Sequence, residues 1–193
     1  HTSTRLVRLE ESGDGVELSA RKNGEDLAIR ASYALLCTGR MPVLHKDQLD
    51  VLGVDYTNAG IRVDENMMTS IGGVYAAGDV TGGMMLAHRA SLQARVAVAS
   101  MFGGEIRQYD EDIIPSVVYS HPQIARVGLT ERRALDEGLE ISVIRSDYSA
   151  NLMARAELMG RGFVKMIFHR EVIAGAVVAG DHAAELLAPL ALA

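Results

Sequence analysis

Thr69-Ser70-Ile71-Gly72-Gly73-Val74-Tyr75-Ala76-Ala77-Gly78-Asp79-Val80, with Thr81-Gly82-Gly83 behind it, is the stretch on which the fold turns. Gly73 to Ala77 has the length and apolar character of a fully buried strand, ending at Gly78-Asp79. From Met84 to Phe102 there is neither Pro nor Gly, and Gly103-Gly104 closes the run, which predicts a long helix opening near Met84. Ala87, Ala90, Ala94 and Ala97 recur within it at helical spacing, predicting a narrow small-residue face that lies close against a sheet. A strand that delivers a carboxylate to a glycine turn and a helix N-terminus builds a small ligand-facing crevice. Gly78 removes a side chain that would keep a ligand off the backbone, Asp79 can accept from hydroxyls, and free amides at the helix start favour oxygen-rich or anionic groups. The residues alone support equally well a reading in which Asp79 caps the loop and Gly82-Gly83 is only a turn.

Before this stretch the chain reads as strand and turn. Leu6-Val7-Arg8-Leu9 precedes the turn signal Gly13-Asp14-Gly15, Val16 and Leu18 alternate, and Asn23-Gly24 is a strong hairpin cue. Leu27 to Ile29 leads to Tyr33-Ala34-Leu35-Leu36-Cys37, continuous enough for a buried strand, and Gly60 to Asp64 reads as a short half-buried one. After Asp110-Glu111-Asp112, strands are expected at Val117 to Tyr119, Ile124 to Val127, Phe163 to Phe168 and Val172 to Val178. The last two are joined by His169-Arg170-Glu171; Thr130 is the expected N-cap of a short helix to Gly138, and a terminal helix begins near His182. Strands with a few helices predict a compact α+β domain here.

Composition narrows the function classes. With 48% hydrophobic residues spread over 193 positions, the chain is not a mostly disordered protein. A net charge of -6 and the lack of Trp argue against a polyanion binder or an aromatic stacking platform, so no nucleic-acid partner is expected. No apolar stretch reaches the roughly 18 residues of a membrane span, and no membrane partner is expected. The lone Cys37 cannot form an internal disulfide and reads as a buried structural thiol. The start, His1-Thr2-Ser3-Thr4, lacks an initiator Met and a signal-peptide layout and reads as an artificial boundary or the middle of a gene. Gly13-Asp14-Gly15-Val16-Glu17-Leu18 lacks the third glycine and following helix of a dinucleotide fingerprint, and so reads as a hairpin turn. His182 and Glu185 share a helical face, but two candidate ligands do not make a metal site, and none is expected.

Thr38-Gly39-Arg40-Met41-Pro42, Gly60-Ile61-Arg62-Val63-Asp64, the Thr69 to Val80 stretch and Met85-Leu86-Ala87-His88-Arg89-Ala90 occur in an order and at spacings that resemble the flavin-dependent pyridine-nucleotide disulfide oxidoreductases. Val118 to Thr130 resembles the opening of that family's dimerisation domain, and Met85 to His88 is most like the dihydrolipoamide dehydrogenase form. Cys37, Val43 and Gln93 depart from the common pattern, which has a small residue, Asn and an acidic residue there.

The resemblance implies an α/β plus α+β architecture: the end of an NAD(P)-binding domain over 1–41, the carboxyl-terminal part of an FAD-binding domain over 42–112, and a truncated dimerisation domain over 113–193. It implies that Asp79, beside Gly78, hydrogen-bonds a ribityl hydroxyl of FAD. Met85, Leu86, Ala87 and His88 would begin the helix over the pyrimidine side of the flavin, and Gly39 would lie near the pyridine nucleotide. The implied parent is a cytoplasmic homodimer passing electrons between NAD(P) and a small disulfide or lipoyl substrate. Mercuric, glutathione-type and transhydrogenase relatives, or a non-catalytic dimerisation module, are the alternatives. The glycine-rich FAD fingerprint, the redox cysteine pair and the catalytic His-Pro segment are expected outside the chain. No catalytic residue is therefore assigned within it, His121-Pro122 included, and the chain alone is expected to be inactive and not to hold FAD stably.

Overall fold

The computed structural model describes residues 1–104 and 108–192. The chain divides into two compact units, His1–Arg40 and Met41–Ala193. In the first, strands β1 (Thr4–Ser12), β2 (Gly15–Lys22) and β3 (Glu25–Ala31) form an antiparallel meander with β2 in the centre. The Asn23-Gly24 turn has both residues at positive φ, 52° and 88°, the backbone twist that a two-residue hairpin needs. Glu17 and Arg30 face one another across β2 and β3 and pair at 2.7 Å.

Tyr33 to Cys37 corrects the sequence reading. It forms no strand; Tyr33 is 91% and Leu35 88% exposed, and Cys37 is an exposed free thiol rather than a buried one. An apolar run becomes a buried strand only where neighbouring strands take up its backbone groups and a layer covers its side chains. Among the described residues it has no strand partner.

The second unit opens with helix α1 (Lys46–Leu52), which buries no residue and gave no periodic signal. Strands β4 (Tyr56–Thr57) and β5 (Gly60–Ile61) make a minimal hairpin, shorter than the Gly60 to Asp64 run suggested. Gly73 to Ala77 is not a buried strand either. It folds back on Met67–Thr69 through one bridge, Met68 to Tyr75, and the bonds Thr69 N–H to Val74 O (2.9 Å) and Ala76 N–H to Met67 O (3.1 Å). With pairing on one side only, Val74 is exposed and Tyr75 to Ala77 are half-buried.

Helix α2 (Ala87–Phe102) begins three residues later than Met84 and ends as expected, with Gly103 in the left-handed region donating to Ala99 O. Its buried face is not the alanine stripe. Arg89, Gln93, Val96 and Ala97 are buried, whereas Ala87 and Ala94 are exposed. Val96 and Ala97 pack on Met67, with Val63, Tyr75 and Tyr109 around them, because the neighbouring layer is an irregular loop that offers polar backbone as well as apolar side chains.

The rest of the unit is the expected α+β domain. Strands β6 (Ser116–Val118), β7 (Ile124–Gly128), β8 (Ser142–Asp147), β9 (Phe163–His169) and β10 (Val172–Ala179) form an antiparallel sheet in the order β6-β7-β10-β9-β8. Ala125, Val127, Ala176 and Val178 point to one face and are covered by Ala183 and Leu187 of helix α5 (Ala183–Leu192). Ile167 and Leu129 meet Ala134 of helix α3 (Glu131–Asp136) in a separate cluster. Period-two alternation thus fills both sides of the central strands. Thr130 Oγ1 caps α3 by accepting from Arg133 N–H at 3.2 Å. Edge strand β8 is exposed throughout, and helix α4 (Leu152–Ala156) is capped by Asn151, whose Oδ1 accepts from Met153 and Ala154 N–H.

Tyr148 locks the end of this sheet, its hydroxyl donating to Asp181 O at 2.9 Å. Burial, and then the nearby Asp181 carboxylate, push its phenol above the usual tyrosine range. A raised folded pKa favours folding below the unfolded value of about 10, and that contribution is lost as pH rises through the folded pKa. Tyr148→Phe should therefore cost about 1 kcal/mol at neutral pH and flatten the alkaline loss of stability, measured by urea unfolding between pH 7 and 11. An unchanged alkaline slope would remove Tyr148 from that role.

Candidate functional site

The loop from Gly78 to Gly83 is built by close approach. Gly78 has φ 84°, ψ -155° and Gly82 has φ 71°, ψ -152°, conformations that side chains strongly disfavour. A Cβ on Gly82 would stand 1.9 Å from Ala59 O, so the loop can lie on the β4–β5 turn only with glycine there. Between the two glycines, Asp79–Thr81 make one 3₁₀ turn, with Thr81 N–H donating to Gly78 O and Gly82 N–H to Asp79 O, both at 3.0 Å. This turn presents Asp79 and Val80 to solvent.

Two side chains of α2 hold the loop from beneath. Gln93, 1% exposed, accepts from Gly78 N–H through Oε1 at 2.8 Å, while its Nε2 donates to Thr81 Oγ1 at 3.2 Å. Arg89, 5% exposed, donates from Nη1 to Gly82 O at 2.8 Å and from Nε to Tyr109 Oη at 2.8 Å, with Glu111 Oε1 3.5 Å from Nε. Burial raises the Tyr109 phenol, and the Arg89 bond works against that shift.

Beyond Gly83 the chain passes through Met84 and Met85 to Leu86, the extended residue from which α2 starts. No side chain caps this end and no acid lies in the first turn. The first helical bond is Ala90 N–H to Leu86 O, so the Ala87, His88 and Arg89 amides have no partner within the helix. They form the positive end of a 16-residue dipole. Exposed His88 places Nε2 2.7 Å from Pro115 O, and since a carbonyl only accepts, Nε2 carries the proton. Beside this end an open cavity of about 550 Å³ is lined by Met84, Glu111, Asp112, Arg126 and Arg133. Arg133 is held there by Asp112 and by Glu137, which keep its guanidinium firmly protonated.

Of the residues singled out in the sequence, Gly78, Asp79, Met85, Leu86, Ala87 and His88 belong to this one loop-and-helix unit. Met85 and Leu86 precede the helix instead of beginning it. Gly39, φ 105° and exposed, belongs to the first unit. Sequence reasoning missed the structural work of Thr81, Arg89 and Gln93. The i, i+4 spacing of Arg89 and Gln93, which puts both on one face of α2, was the available signal.

Two family models match the chain: pyridine nucleotide-disulphide oxidoreductase over residues 1–94 and the dimerisation domain of the same group over 114–193. The chain belongs to the pyridine nucleotide-disulphide oxidoreductase family.

Its α/β and α+β parts follow that family's fold. The chain is 35% identical over 196 residues to the dihydrolipoyl dehydrogenase of Bacillus subtilis, covering 100% of this chain and 42% of that one. It is 37% identical over 195 residues to the mitochondrial dihydrolipoyl dehydrogenase of Pisum sativum, covering 98% and 39%. Among solved structures, LpdA from Mycobacterium tuberculosis superposes with a TM-score of 0.85 at 28% identity over 98% of this chain and 41% of its own. The flavoprotein disulfide reductase RclA from Escherichia coli, at 23% identity and a TM-score of 0.78, shares the fold. The chain thus spans about two-fifths of the length of the relatives it matches. No helix among its described residues is long and apolar enough to cross a membrane.

The loop geometry predicts two mutational outcomes. Arg89→Met keeps the aliphatic stem but strips Gly82 O and Tyr109 Oη of a donor, and should lower stability by about 2 kcal/mol in urea unfolding. Gly82→Ala forces a backbone collision as well as a left-handed alanine and should cost more, ~3 kcal/mol or above. Finding both variants as stable as the parent sequence would contradict the packing of this loop.

Proposed function

We propose that this chain is part of an FAD-dependent, dihydrolipoamide dehydrogenase-like oxidoreductase that passes electrons between a dithiol/disulfide and NAD(P). The observation carrying this reading is the exposed Asp79 carboxylate on a clamped glycine loop, beside an uncapped helix N-terminus, in a chain matched along its length by this family. Coverage of about two-fifths of each relative supports reading it as a portion of a longer enzyme.

The residues suit a flavin. Gly78 brings the backbone to the surface without a side chain, and Asp79 accepts a hydrogen bond from a ribityl hydroxyl. The Ala87 and His88 amides, next to Met85 and Leu86, would favour negative charge on the pyrimidine side of a bound flavin. When bound, the flavin supplies the two-electron chemistry; these residues hold and orient it and tune its charge. Gly39 lies near the pyridine nucleotide, where a side chain would obstruct it.

The division into 1–41 (NAD(P)-binding), 42–112 (FAD-binding) and 113–193 (dimerisation) follows from the same reading, as does a cytoplasmic homodimer acting on a small disulfide or lipoyl substrate. The redox cysteines and the proton-transferring histidine are supplied from outside these 193 residues. The unpaired, exposed run Tyr33 to Cys37 fits a segment that the rest of the enzyme covers.

In the FAD-loaded protein containing this chain, Asp79→Ala should weaken FAD binding by about tenfold to a hundredfold, read by flavin release into ultrafiltrate. The 193-residue chain alone should neither turn over lipoamide with a nicotinamide cofactor nor retain a flavin absorption band after gel filtration. Turnover by the isolated chain, or wild-type FAD affinity in Asp79→Ala, would sink the proposal.

A further inference from the structure

We infer that Gln93 and Arg89 are positioning residues, a two-point clamp that fixes the Asp79 turn relative to the open amides of α2, and that the side-chain oxygen of residue 93 that accepts from Gly78 N–H is the group required in it. This inference rests on the flavin reading of Asp79. Gln93 and Arg89 are four residues apart on the buried face of α2 and grip opposite ends of one loop, Gly78 N–H at its entry and Gly82 O at its exit. The helix that presents the amides is thereby the same body that sets the height and tilt of the carboxylate. Asp79 itself makes no side-chain hydrogen bond among the described residues and is held only through its backbone neighbours.

The donor and acceptor inventory shows what position 93 must supply. Thr81 has one hydroxyl proton, with Gly78 O at 2.8 Å and Gln93 Oε1 at 3.3 Å as its acceptors. Its remaining capacity is as an acceptor, and it receives Gln93 Nε2 at 3.2 Å and Arg89 Nη1 at 3.4 Å. With Oε1 accepting from Gly78 N–H at 2.8 Å, only the orientation that turns Nε2 toward Thr81 satisfies every group. A carboxylate at position 93 would still accept from Gly78, and the Thr81 hydroxyl, 3.3 Å from Oε1, could turn its proton toward it. Leucine would serve neither and would leave a buried amide N–H without a partner.

The test compares Gln93→Leu and Gln93→Glu by two readouts. In the 193-residue chain, amide hydrogen exchange at Gly78 should accelerate about tenfold or more in Gln93→Leu and stay within about threefold in Gln93→Glu, with the Val96 and Ala97 amides little changed in both. In the FAD-loaded protein containing the chain, Gln93→Leu should weaken FAD binding about tenfold, and Gln93→Glu should recover most of that loss. Should Gln93→Leu fail to fold, Gln93→Asn, whose amide is one methylene too short to reach Gly78 N–H, carries the same test. Unchanged Gly78 exchange in Gln93→Leu would overturn the clamp. Accelerated exchange with FAD affinity intact, while Asp79→Asn weakens FAD, would overturn the positioning role and leave the flavin reading standing. Loss of FAD affinity in neither Asp79→Asn nor Gln93→Leu would overturn both.

Discussion

Arg89 carries a guanidinium into the interior beneath a loop of backbone, and such a group is tolerated only if its donors find oxygens. Gly82 O, Thr81 Oγ1 and Tyr109 Oη meet that requirement, with Glu111 nearby, and the arrangement is possible only if Gly78 to Gly83 adopts one conformation. The close approach of Gly82 to Ala59 O and the Gln93 bond to Gly78 N–H hold the same conformation, with the 3₁₀ turn between the glycines and Asp79 exposed on it. Tyr109 lies 20 residues beyond Arg89 and also donates its backbone N–H to Glu65 O, so the chain after α2 is tied to the same centre.

The interface-like domain depends on different physics. Its sheet is filled on both sides, with α5 on one face and α3 on the other, and its strands were legible because β-branched and small apolar residues concentrate in short runs separated by turn signals such as His169-Arg170-Glu171. Asn23-Gly24 and the Thr130 cap were legible for a related reason, as short-range chemistry that needs no knowledge of distant neighbours. Gly73 to Ala77 and Tyr33 to Cys37 misled for the converse reason. Apolar composition says a segment is suited to burial, but only partner strands turn it into sheet, and neither segment has partners on both sides among the described residues.

The candidate site was half legible. The ordered motifs around Asp79 and Met85 to His88 carried the family resemblance, and the family models agree with it. The clamp was not, because the alanine repeat in α2 suggested the wrong buried face. A helix packed on a sheet buries small apolar residues, whereas one packed on an irregular glycine loop must also satisfy exposed backbone groups, which is why Arg89 and Gln93 turn inward and Ala87 and Ala94 outward. Gln93, conspicuous in the sequence only as a departure from an acidic residue, becomes intelligible as the acceptor for Gly78 N–H, with its Nε2 directed at Thr81 Oγ1.

The central claim is that the Gly78–Gly83 loop and the start of α2 form a prebuilt wall of a flavin site. A crystal structure of the FAD-loaded protein containing this chain tests it most directly. The account predicts that the Asp79 carboxylate lies within about 3 Å of a ribityl hydroxyl and that the Gln93 and Arg89 bonds to Gly78 and Gly82 are retained. A flavin bound away from Asp79, or a loop rebuilt with those bonds broken, would contradict it.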